Sequence, residues 1–315
     1  MDEHKVAVSI VIPVYGCRAA LPELYRRLVS VLEQLGLTFE IIFVDDCCPQ
    51  DSWSEIREIC LVDNRVIGLR LSRNFGQIRA ITSGLDTSVG DWVIVMDCDL
   101  QDPPEAIADL WTKIHEGWDV VFARRVKRKD TGLTMALSRS FYKTYDWFTD
   151  GTYDPTIANF SIASRKVIDS YCSLREQNRG YVTFIRWLGF RQTSIDVESE
   201  KRYEGKSSYT MRRKVRMAFE LITSQSTKPL KIAVCLGLLL AALAFLYLLF
   251  LVIQKYVNPE IAIGWTSMIG AVFLMGGLNL SFIGVVGLYV GNIFEEVKQR
   301  PLYVIAETIN AKGDG

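Results

Sequence analysis

Oxygen-bearing side chains follow directly on an apolar run at residues 92–96. If the chain stays extended through Asp97 and Asp99, the two-residue period of a strand places both carboxylates on the same side. Two neighbouring carboxylates repel each other, and a hard divalent cation relieves that repulsion while leaving coordination sites for phosphate oxygens. Gln101 adds a neutral oxygen ligand. The spacing therefore indicates a metal and diphosphate site at the end of a buried strand.

A simpler interpretation of the same acidic segment is a turn between a strand and a helix. Pro103 and Pro104 favour the first turn of a helix, and Asp99 or Asp102 then serves only as a capping residue. The Asp-x-Asp spacing alone does not separate the two interpretations. The rest of the chain has to decide between them.

Charged side chains also follow two other predicted strands. Asp45 and Asp46 end an apolar run at residues 39–44, and a basic cluster follows the short run at residues 120–123. We expect the cluster to face the proposed phosphates, and the alternative is a solvated basic surface. The chain has no Gly-x-Gly-x-x-Gly after its first strand and no P-loop sequence, so side chains and metal have to hold a nucleotide. The basic cluster consists of Arg124, Arg125, Lys127, Arg128 and Lys129.

The hydrophobic pattern predicts the elements that position these groups. Four continuous apolar runs, each followed by a helical pattern, predict a doubly wound, mainly parallel α/β sheet. Ligands bind outside the carboxyl ends of the strands in such sheets, where the acidic pairs lie. The predicted strands cover residues 6–13, 39–44, 66–71 and 92–96, and the helices that follow them begin near residues 21, 52, 77 and 104. Further strand and helix patterns cover residues 120–123, 131–148, 160–174 and 180–187.

The C-terminal third of the chain has the pattern of a membrane anchor. Charge-free runs predict two spanning helices at about residues 232–253 and 267–293, and a basic, amphipathic pattern at residues 209–225 predicts a helix in the membrane interface. Gly287 and Gly291 form a small-x-x-x-small pair that is able to bring the two helices close. Lys and Arg residues flank the pair of spans, which predicts that the soluble domain and both termini face the cytoplasm.

This pattern divides the chain into four segments. Residues 1–200 form the predicted soluble domain, residues 201–228 the basic interfacial segment, residues 229–297 the two spans, and residues 298–315 a cytoplasmic tail. The balance of 36 Lys and Arg against 36 Asp and Glu argues against a nucleic-acid binder. The 7 cysteines include no Cys-x-x-Cys pair, so we expect reduced thiols and neither a disulfide framework nor a zinc site.

An ordered set of short motifs resembles the family 2 glycosyltransferases of the GT-A fold. With Arg202, residues 205–209 and the paired C-terminal spans, the chain is most similar to the polyprenyl-phosphate glycosyltransferases, relatives of dolichyl-phosphate mannose synthase. The resemblance covers nearly the whole chain. Its motifs are Val11-Ile-Pro-Val-Tyr15, Val44-Asp-Asp46, Arg73-Asn-Phe-Gly-Gln77 and Asp97-Cys-Asp-Leu-Gln-Asp-Pro-Pro104.

The resemblance implies a role for particular residues. It implies Mg²⁺ or Mn²⁺ held on the donor diphosphate by Asp97, Asp99 and Gln101. The residues implied to bind the nucleotide are Pro13, Tyr15, Asp45, Asp46, Asn74 and Asp97. Those implied to act in catalysis or to neutralise phosphate are Asp99, Arg124, Arg125, Arg139 and Asp154. Those implied to bind the lipid phosphate are Arg202, Lys206, Ser207, Tyr209, Arg212 and Arg213.

The chain also departs from the family pattern at three places. Cys47-Cys48 stand where relatives usually have Gly-Ser, and the lysine of Gly205-Lys-Ser-Ser-Tyr209 lies two places early. Ala158-Asn-Phe-Ser161 stands where many relatives have Gly-Asp-Phe-Arg, so the acidic residue often proposed as a base is absent, and Asp154 is the substitute candidate. A polyprenyl monophosphate needs no strong base, because its second pKa is about 6 and it is largely ionised near pH 7.

The predicted activity is inverting transfer of a single sugar from a nucleotide diphosphate sugar, with a UDP-sugar favoured, to undecaprenyl or dolichyl phosphate. The predicted place is the cytoplasmic face of the bacterial inner membrane, with a homo-oligomer as a further expectation. One rival is a processive polysaccharide synthase, although Thr183 stands where such enzymes have the glutamine of Gln-x-x-Arg-Trp. The other rival is a catalytically silent membrane scaffold that binds nucleotide sugars.

Overall fold

The computed structural model describes residues 5–125, 156–198, 200, 226–257 and 264–311. These residues form two compact units. The sheet unit contains the described residues up to 200 together with residues 301–311, and the helical unit contains the described residues from 226 to 300. The predicted helix at residues 131–148 and the predicted interfacial helix at residues 209–225 lie outside the described residues.

Four parallel strands form the centre of the sheet unit, as the sequence predicts. They are β1 (Val8–Val14), β2 (Phe39–Asp45), β3 (Val66–Leu71) and β4 (Trp92–Val95), in the order β4-β1-β2-β3. Every residue of β1 and β2 is buried, because helices cover both faces of the sheet. The helices after the first three strands are α1 (Leu21–Gln34), α2 (Ser52–Val62) and α3 (Gln77–Thr87).

The sheet continues beyond β4 with strands of mixed direction. After α4 (Ile107–Ile114) the described strands are β5 (Val120–Arg125), β6 (Ile157–Ser164) and β7 (Gln192–Val197). Strand β6 lies between β4 and β5 and runs antiparallel to both, whereas β7 runs parallel to β5. The amino-terminal end of β6 therefore lies at the edge where β4 and β5 end. Two further helices, α5 (Arg165–Ser173) and α6 (Tyr181–Trp187), connect β6 to β7.

The two faces of the sheet carry separate apolar cores, which is the doubly wound arrangement. One core packs α1, α2 and α4 against alternate strand residues such as Ile10 and Ile12. The other packs α3, α5 and α6 against the intervening residues such as Val11. Helix α3 lies so close to β1 that a side chain at Gly84 would clash with Val11. This close approach fixes the start of α3 at the carboxyl edge of the sheet.

The segment after the second predicted span, expected only as a tail, contains a strand of the sheet unit. Strand β8 (Ile305–Ile309) pairs antiparallel with β3. The Asn310 amide donates to the carbonyls of Cys60 and Val66, each at 2.9 Å, and the Tyr303 hydroxyl donates to Asp86 at 2.6 Å. The sequence did not indicate this strand because it is short, lies at an edge, and pairs with residues far earlier in the chain.

The helical unit consists of α7 (Lys228–Val257) and α8 (Trp265–Val297), with 30 and 33 residues. At a rise of 1.5 Å per residue each helix is about 45 to 50 Å long, more than a bilayer core of about 30 Å. Both contain stretches apolar enough to cross a membrane, Lys228–Tyr247 and Ala271–Val297. Among the described residues, a Cβ atom built at Gly287 or Gly291 would meet nothing within 4 Å, so this pair is not used for a close contact there.

Candidate active site

The acidic pairs predicted from the sequence both lie at the carboxyl edge of the parallel strands. In the pairing of β1 with its neighbours, Val14 lies opposite Asp45 and Val11 lies opposite Val95, so Asp45, which ends β2, and Asp97, which follows β4, lie on either side of β1. Arg125 ends β5, two strands beyond β4. Parallel strands therefore bring groups from distant parts of the chain to one edge, which is the usual ligand site of such sheets.

Asp97 lies among hydrogen-bond donors from three other elements. Its Oδ1 atom accepts a hydrogen bond from Nε2 of Gln77, the first residue of α3, at 2.7 Å. The side chain of Asn159, on β6, interacts with the Asp97 carboxylate and lowers its pKa. Its Oδ2 atom lies 3.8 Å from Nη2 of Arg125, and the Asp97 side chain is 23% exposed. The carboxylate is thus held in place but still open to solvent.

The negative charges around Asp97 outweigh the positive charge of its basic neighbour Arg125. Burial raises the pKa of the Asp97 carboxyl to about 6, and the negative charges of Asp102 and Asp99 add to the rise. The Arg125 guanidinium and the Asn159 side chain lower the pKa but do not cancel the effect. A divalent cation at this carboxylate would favour its ionised form.

Asp102 is the buried partner of Arg125. The Arg125 guanidinium donates from Nε to Oδ1 at 2.9 Å and from Nη2 to Oδ2 at 2.6 Å, and the Asp102 side chain is 0% exposed. Arg124, the adjacent residue, instead donates from Nε to Asp196 of β7 at 2.5 Å. The two arginines predicted to act together on phosphate therefore have different partners, and Arg125 is the one beside Asp97.

Asp99 forms a local turn immediately after Asp97. Its Oδ1 atom accepts from the backbone N–H of Gln101 at 3.1 Å, and Leu100 between them has a left-handed φ of 57°. The interpretation of this segment as a helix cap is wrong. The residues at the cap positions are Pro103, before a short 3₁₀ turn, and Ala106, before α4, and neither makes a side-chain capping bond.

Asp46 organises the loop between β3 and α3. Its two carboxylate oxygens accept from the backbone N–H groups of Phe75 at 2.7 Å and Gly76 at 2.9 Å. Burial raises the pKa of the Asp46 carboxyl, and these two N–H groups oppose the rise. Gly76 has a left-handed φ of 94°, which a residue with a side chain rarely adopts. Asp46 therefore fixes the loop that delivers Gln77 to Asp97.

Asp45 lies beside the turn that departs from the family pattern. It accepts from the backbone N–H of Cys48 at 3.1 Å, and its Oδ2 atom lies 3.7 Å from Nε of Arg70. Burial raises the pKa of the Asp45 carboxyl. Cys47 has a left-handed φ of 53°, so the turn keeps a conformation that glycine adopts without strain. The Cys48 thiol accepts from the Gly16 N–H at 3.1 Å.

The expectation that all cysteines are reduced is wrong for one pair. Cys17 and Cys98 form a disulfide across 81 residues of sequence, with their Cα atoms 6.1 Å apart. Cys98 lies between the two aspartates of the acidic motif, and Cys17 lies in the loop after β1. The fold brings the two loops together, a proximity that the spacing of the cysteines in the sequence does not reveal.

The structure locates some of the predicted site residues and not others. Pro13 is buried in β1, opposite Val44, and Asn74 lies in the loop that Asp46 holds. Tyr15 follows β1 and is 53% exposed, so its ring is open to a stacking partner. Eight predicted residues lie outside the described part of the chain: Arg139, Asp154, Arg202, Lys206, Ser207, Tyr209, Arg212 and Arg213.

Sequence reasoning missed three side chains that contact the acidic residues. Gln77 hydrogen-bonds to Asp97, Asn159 lowers the pKa of the Asp97 carboxyl, and Arg70 lies beside Asp45. Gln77 ends a recognised motif and Asn159 marks a departure from the family pattern, so both positions were visible in the sequence. Their contact with Asp97 was not, because it depends on pairing between distant elements.

The donor groups fit a cation that arrives with a diphosphate. Within the described ranges, no group of three His, Cys, Asp or Glu side chains is placed to hold a metal ion. Mg²⁺ characteristically takes one or two carboxylates and completes its coordination with substrate phosphates and water. Asp97 and Asp99 supply two carboxylates at a place short of positive charge.

Comparisons with known proteins agree with this arrangement. The sequence profile described as "Glycosyl transferase family 2" matches residues 9–172, a little over half of the chain. An uncharacterized glycosyltransferase of Bacillus subtilis is 36% identical over 309 residues, which cover 98% of this chain and 95% of that protein. The SfII prophage-derived bactoprenol glucosyl transferase of Shigella flexneri is 32% identical over 302 residues, which cover 96% and 98%.

The fold is also similar to that of a solved enzyme. The crystal structure is of glucosyl-3-phosphoglycerate synthase from Mycobacterium tuberculosis in complex with Mn²⁺, UDP and phosphoglyceric acid. It is 18% identical, with a TM-score of 0.51, and the match covers 69% of this chain and 76% of that one. The matched portion has the GT-A type of mixed α/β sheet.

Proposed function

Because this chain belongs to glycosyl transferase family 2, we propose that it transfers a single sugar from a UDP-sugar to a polyprenyl phosphate, with inversion, at the cytoplasmic face of a bacterial membrane. The observation that carries the proposal is the edge of the sheet where Asp97, Asp99 and Arg125 meet, in a chain that also has two helices long and apolar enough to span a membrane. A diphosphate leaving group needs the charged edge of the sheet, and a lipid acceptor needs a chain that is anchored in the membrane.

The donor occupies the carboxyl edge of the sheet. Tyr15 stacks on the base, and Asp45 accepts hydrogen bonds from the base or ribose. Asp97, Asp99 and Gln101 hold Mg²⁺ or Mn²⁺, which when bound stabilises the negative charge of the departing diphosphate. Arg125, already fixed by Asp102 beside Asp97, supplies a permanent positive charge on the same side.

The acceptor phosphate arrives as an anion and needs orientation more than deprotonation. Its second pKa of about 6 leaves it largely ionised near neutral pH. Asn159 bears no titratable proton at the position where many relatives have an acid. Binding and orienting the lipid phosphate beside the sugar supplies the rate enhancement, and the predicted residues for this task are Arg202, Lys206, Ser207, Tyr209, Arg212 and Arg213. The names of relatives such as the bactoprenol glucosyl transferase of Shigella flexneri support a polyprenyl acceptor.

The topology of the sheet unit supports a hairpin of two spans. Strand β8 follows α8 in sequence and pairs with β3, which precedes α7. The chain leaves and re-enters one folded unit, which supports the proposal that both ends of the helical pair lie on the same side of a membrane. Lys228 and Lys231 lie at the start of α7, and Lys298 and Arg300 follow α8. The excess of basic residues at these ends favours the cytoplasmic side.

The proposal is tested with the full chain in lipid nanodiscs, supplied with undecaprenyl phosphate, Mn²⁺ and radiolabelled UDP-sugars. Asp99→Ala should lower transfer of label to lipid by at least about 100-fold, in line with the loss of a group that stabilises transition-state charge. The matched control is Asp109→Ala, an exposed carboxylate on α4, which should leave transfer unchanged. Near-normal transfer by Asp99→Ala would contradict the proposal.

A further inference from the structure

We propose that Asn159 is a positioning residue: together with Gln77 it clamps the Asp97 carboxylate with two neutral amide donors, and this chain therefore has no use for an acid at position 159. The inference rests on the proposed function, because it assigns Asp97 to the metal and diphosphate. It concerns how that carboxylate is oriented, which is a separate question from which sugar or lipid is used.

The strand register, continued two residues beyond the end of β4, puts Asn159 across from Asp97. In the antiparallel ladder of β4 and β6, Trp92 lies opposite Ser164 and Val95 lies opposite Ser161. Two further steps in the same register bring Asp97 opposite Asn159. The Asn159 side chain lowers the pKa of the Asp97 carboxyl, as an amide donor at this place would.

The backbone around Asn159 is fixed on its other side as well. The Ser161 hydroxyl donates to the Asn159 carbonyl at 3.0 Å and lies 3.0 Å from the hydroxyl of Tyr181, which is buried in the core. The Arg125 N–H donates to the carbonyl of Thr156 at 2.9 Å, so β5 holds the start of β6. These contacts give the Asn159 amide a defined position relative to Asp97.

Gln77 contacts the same carboxylate from a different layer of the fold. It begins α3, and its amide donates to Asp97 Oδ1 at 2.7 Å. The preceding loop is held by the two bonds from Phe75 and Gly76 to Asp46. One amide thus comes from a neighbouring strand and the other from a helix. Partners of this kind orient a metal-binding carboxylate, and their loss typically weakens metal binding or activity 10- to 100-fold.

The amide chemistry of Asn159 matters because the surroundings are already acidic. Asp97, Asp99 and Asp102 lie close enough for their charges to interact. Within this set Arg125 pairs with Asp102 and lies 3.8 Å from Asp97. An aspartate at position 159 would face Asp97 with a further negative charge and no hydrogen to donate. An asparagine of the same shape gives a hydrogen bond and adds no charge.

The experiment measures Mn²⁺ binding to the full chain in nanodiscs in the presence of UDP, without acceptor lipid, by calorimetry or electron paramagnetic resonance. Asn159→Ala and Gln77→Ala should each weaken Mn²⁺ binding by about 10-fold. In turnover assays the same variants should need correspondingly more Mn²⁺ for half-maximal rate, and saturating Mn²⁺ should restore most of kcat. The matched control is Asn64→Asp, an exposed residue before the amino end of β3, which should bind Mn²⁺ as the parent chain does.

The Asn159→Asp variant distinguishes two hypotheses about position 159: that the amide positions Asp97, and that the chain merely lacks a general base there. The clamp predicts a lower kcat near neutral pH, because the variant loses the amide donor to Asp97, whereas a missing base predicts a higher kcat. Unchanged Mn²⁺ binding in Asn159→Ala, or a higher kcat in Asn159→Asp, would overturn the inference. The Gln77 side chain is exposed, so Gln77→Ala should still fold, and its Mn²⁺ binding decides the test if Asn159→Ala does not fold. A parent chain that binds Mn²⁺ and UDP but glycosylates no polyprenyl phosphate would refute the proposed function and leave the clamp standing.

Discussion

The buried ion pair between Asp102 and Arg125 gives a quantitative prediction for the framework of the site. Asp102→Ala removes two hydrogen bonds, of 2.9 and 2.6 Å, from a carboxylate whose side chain is 0% exposed. Breaking a buried pair by removing one partner costs about 3–5 kcal/mol. In the variant, the Arg125 side chain, which is 31% exposed, is still solvated by water and still lies 3.8 Å from the Asp97 carboxylate. We therefore expect the low end of the range, about 3 kcal/mol.

Thermal unfolding of the full chain, followed by tryptophan fluorescence, measures this loss. For a unit of about 150–250 residues, each kcal/mol lowers Tm by about 2–4 °C, so Asp102→Ala should lower Tm by about 6–12 °C. Asp102→Asn keeps the shape and one acceptor oxygen and should show an intermediate loss. Asp109→Ala, on the exposed face of α4, should remain within about 1 °C of the parent chain.

A shift of less than about 2 °C for Asp102→Ala would refute the reasoning. It would mean that Arg125 finds an equivalent partner at no cost, and that the pair does not fix Arg125 beside Asp97. The assignment of Arg125 as a pre-positioned charge for the diphosphate would then lose its structural basis.

Two further predictions follow from the strained turn and from the raised pKa. Cys47→Gly should raise the free energy of unfolding by about 0–1.6 kcal/mol, because it removes a left-handed strain of about 1–2 kcal/mol and adds about 0.4–1 kcal/mol of unfolded-state entropy. Denaturant unfolding checks this, with Cys47→Ala as the control that keeps the strain, and a loss above 1 kcal/mol for Cys47→Gly would contradict it. Metal binding needs the ionised carboxylate, and the pKa of Asp97 is about 6 without a cation. Mn²⁺ affinity in the presence of UDP should therefore rise between about pH 5 and pH 7 and level off above, and an affinity independent of pH over that interval would contradict the assignment.

The sequence predicted the central sheet well because its signals are local. The third strand was expected at residues 66–71 and is observed as Val66–Leu71. The helix expected to begin near residue 21 is observed as Leu21–Gln34, where Pro22 favours the first turn. Continuous apolar runs and turn residues between them define such elements without knowledge of the rest of the fold.

Features that depend on distant pairing were not predictable in the same way. Strand β6 reverses direction between β4 and β5, and β8 returns to β3 after the helical unit. The sequence of β8, Ile-Ala-Glu-Thr-Ile, covers only five positions and has no regular alternation of polar and apolar residues. A short edge strand of this kind carries too little hydrophobic pattern to be distinguished from a polar tail.

The candidate site shows the same division between local and distant information. The Asp-x-Asp spacing and the acidic end of β2 pointed to the carboxyl edge of the sheet, where the structure places both. The sequence did not reveal the partner of each carboxylate. Asp102 pairs with Arg125 and Asp196 pairs with Arg124 because of the register of β5 in the sheet. The pairing of Cys17 with Cys98 was likewise hidden, since it joins loops 81 residues apart.

Mass spectrometry of the lipid product tests the central claim most directly. The full chain in nanodiscs is incubated with undecaprenyl phosphate, Mn²⁺ and an equal mixture of UDP-, GDP- and dTDP-sugars. Our account predicts a product with one sugar on the polyprenyl phosphate, taken from a UDP donor. A polymer on the lipid would indicate a processive synthase. Binding of UDP with no glycosylated lipid from any donor would contradict the account and identify the chain as a silent nucleotide-sugar-binding scaffold.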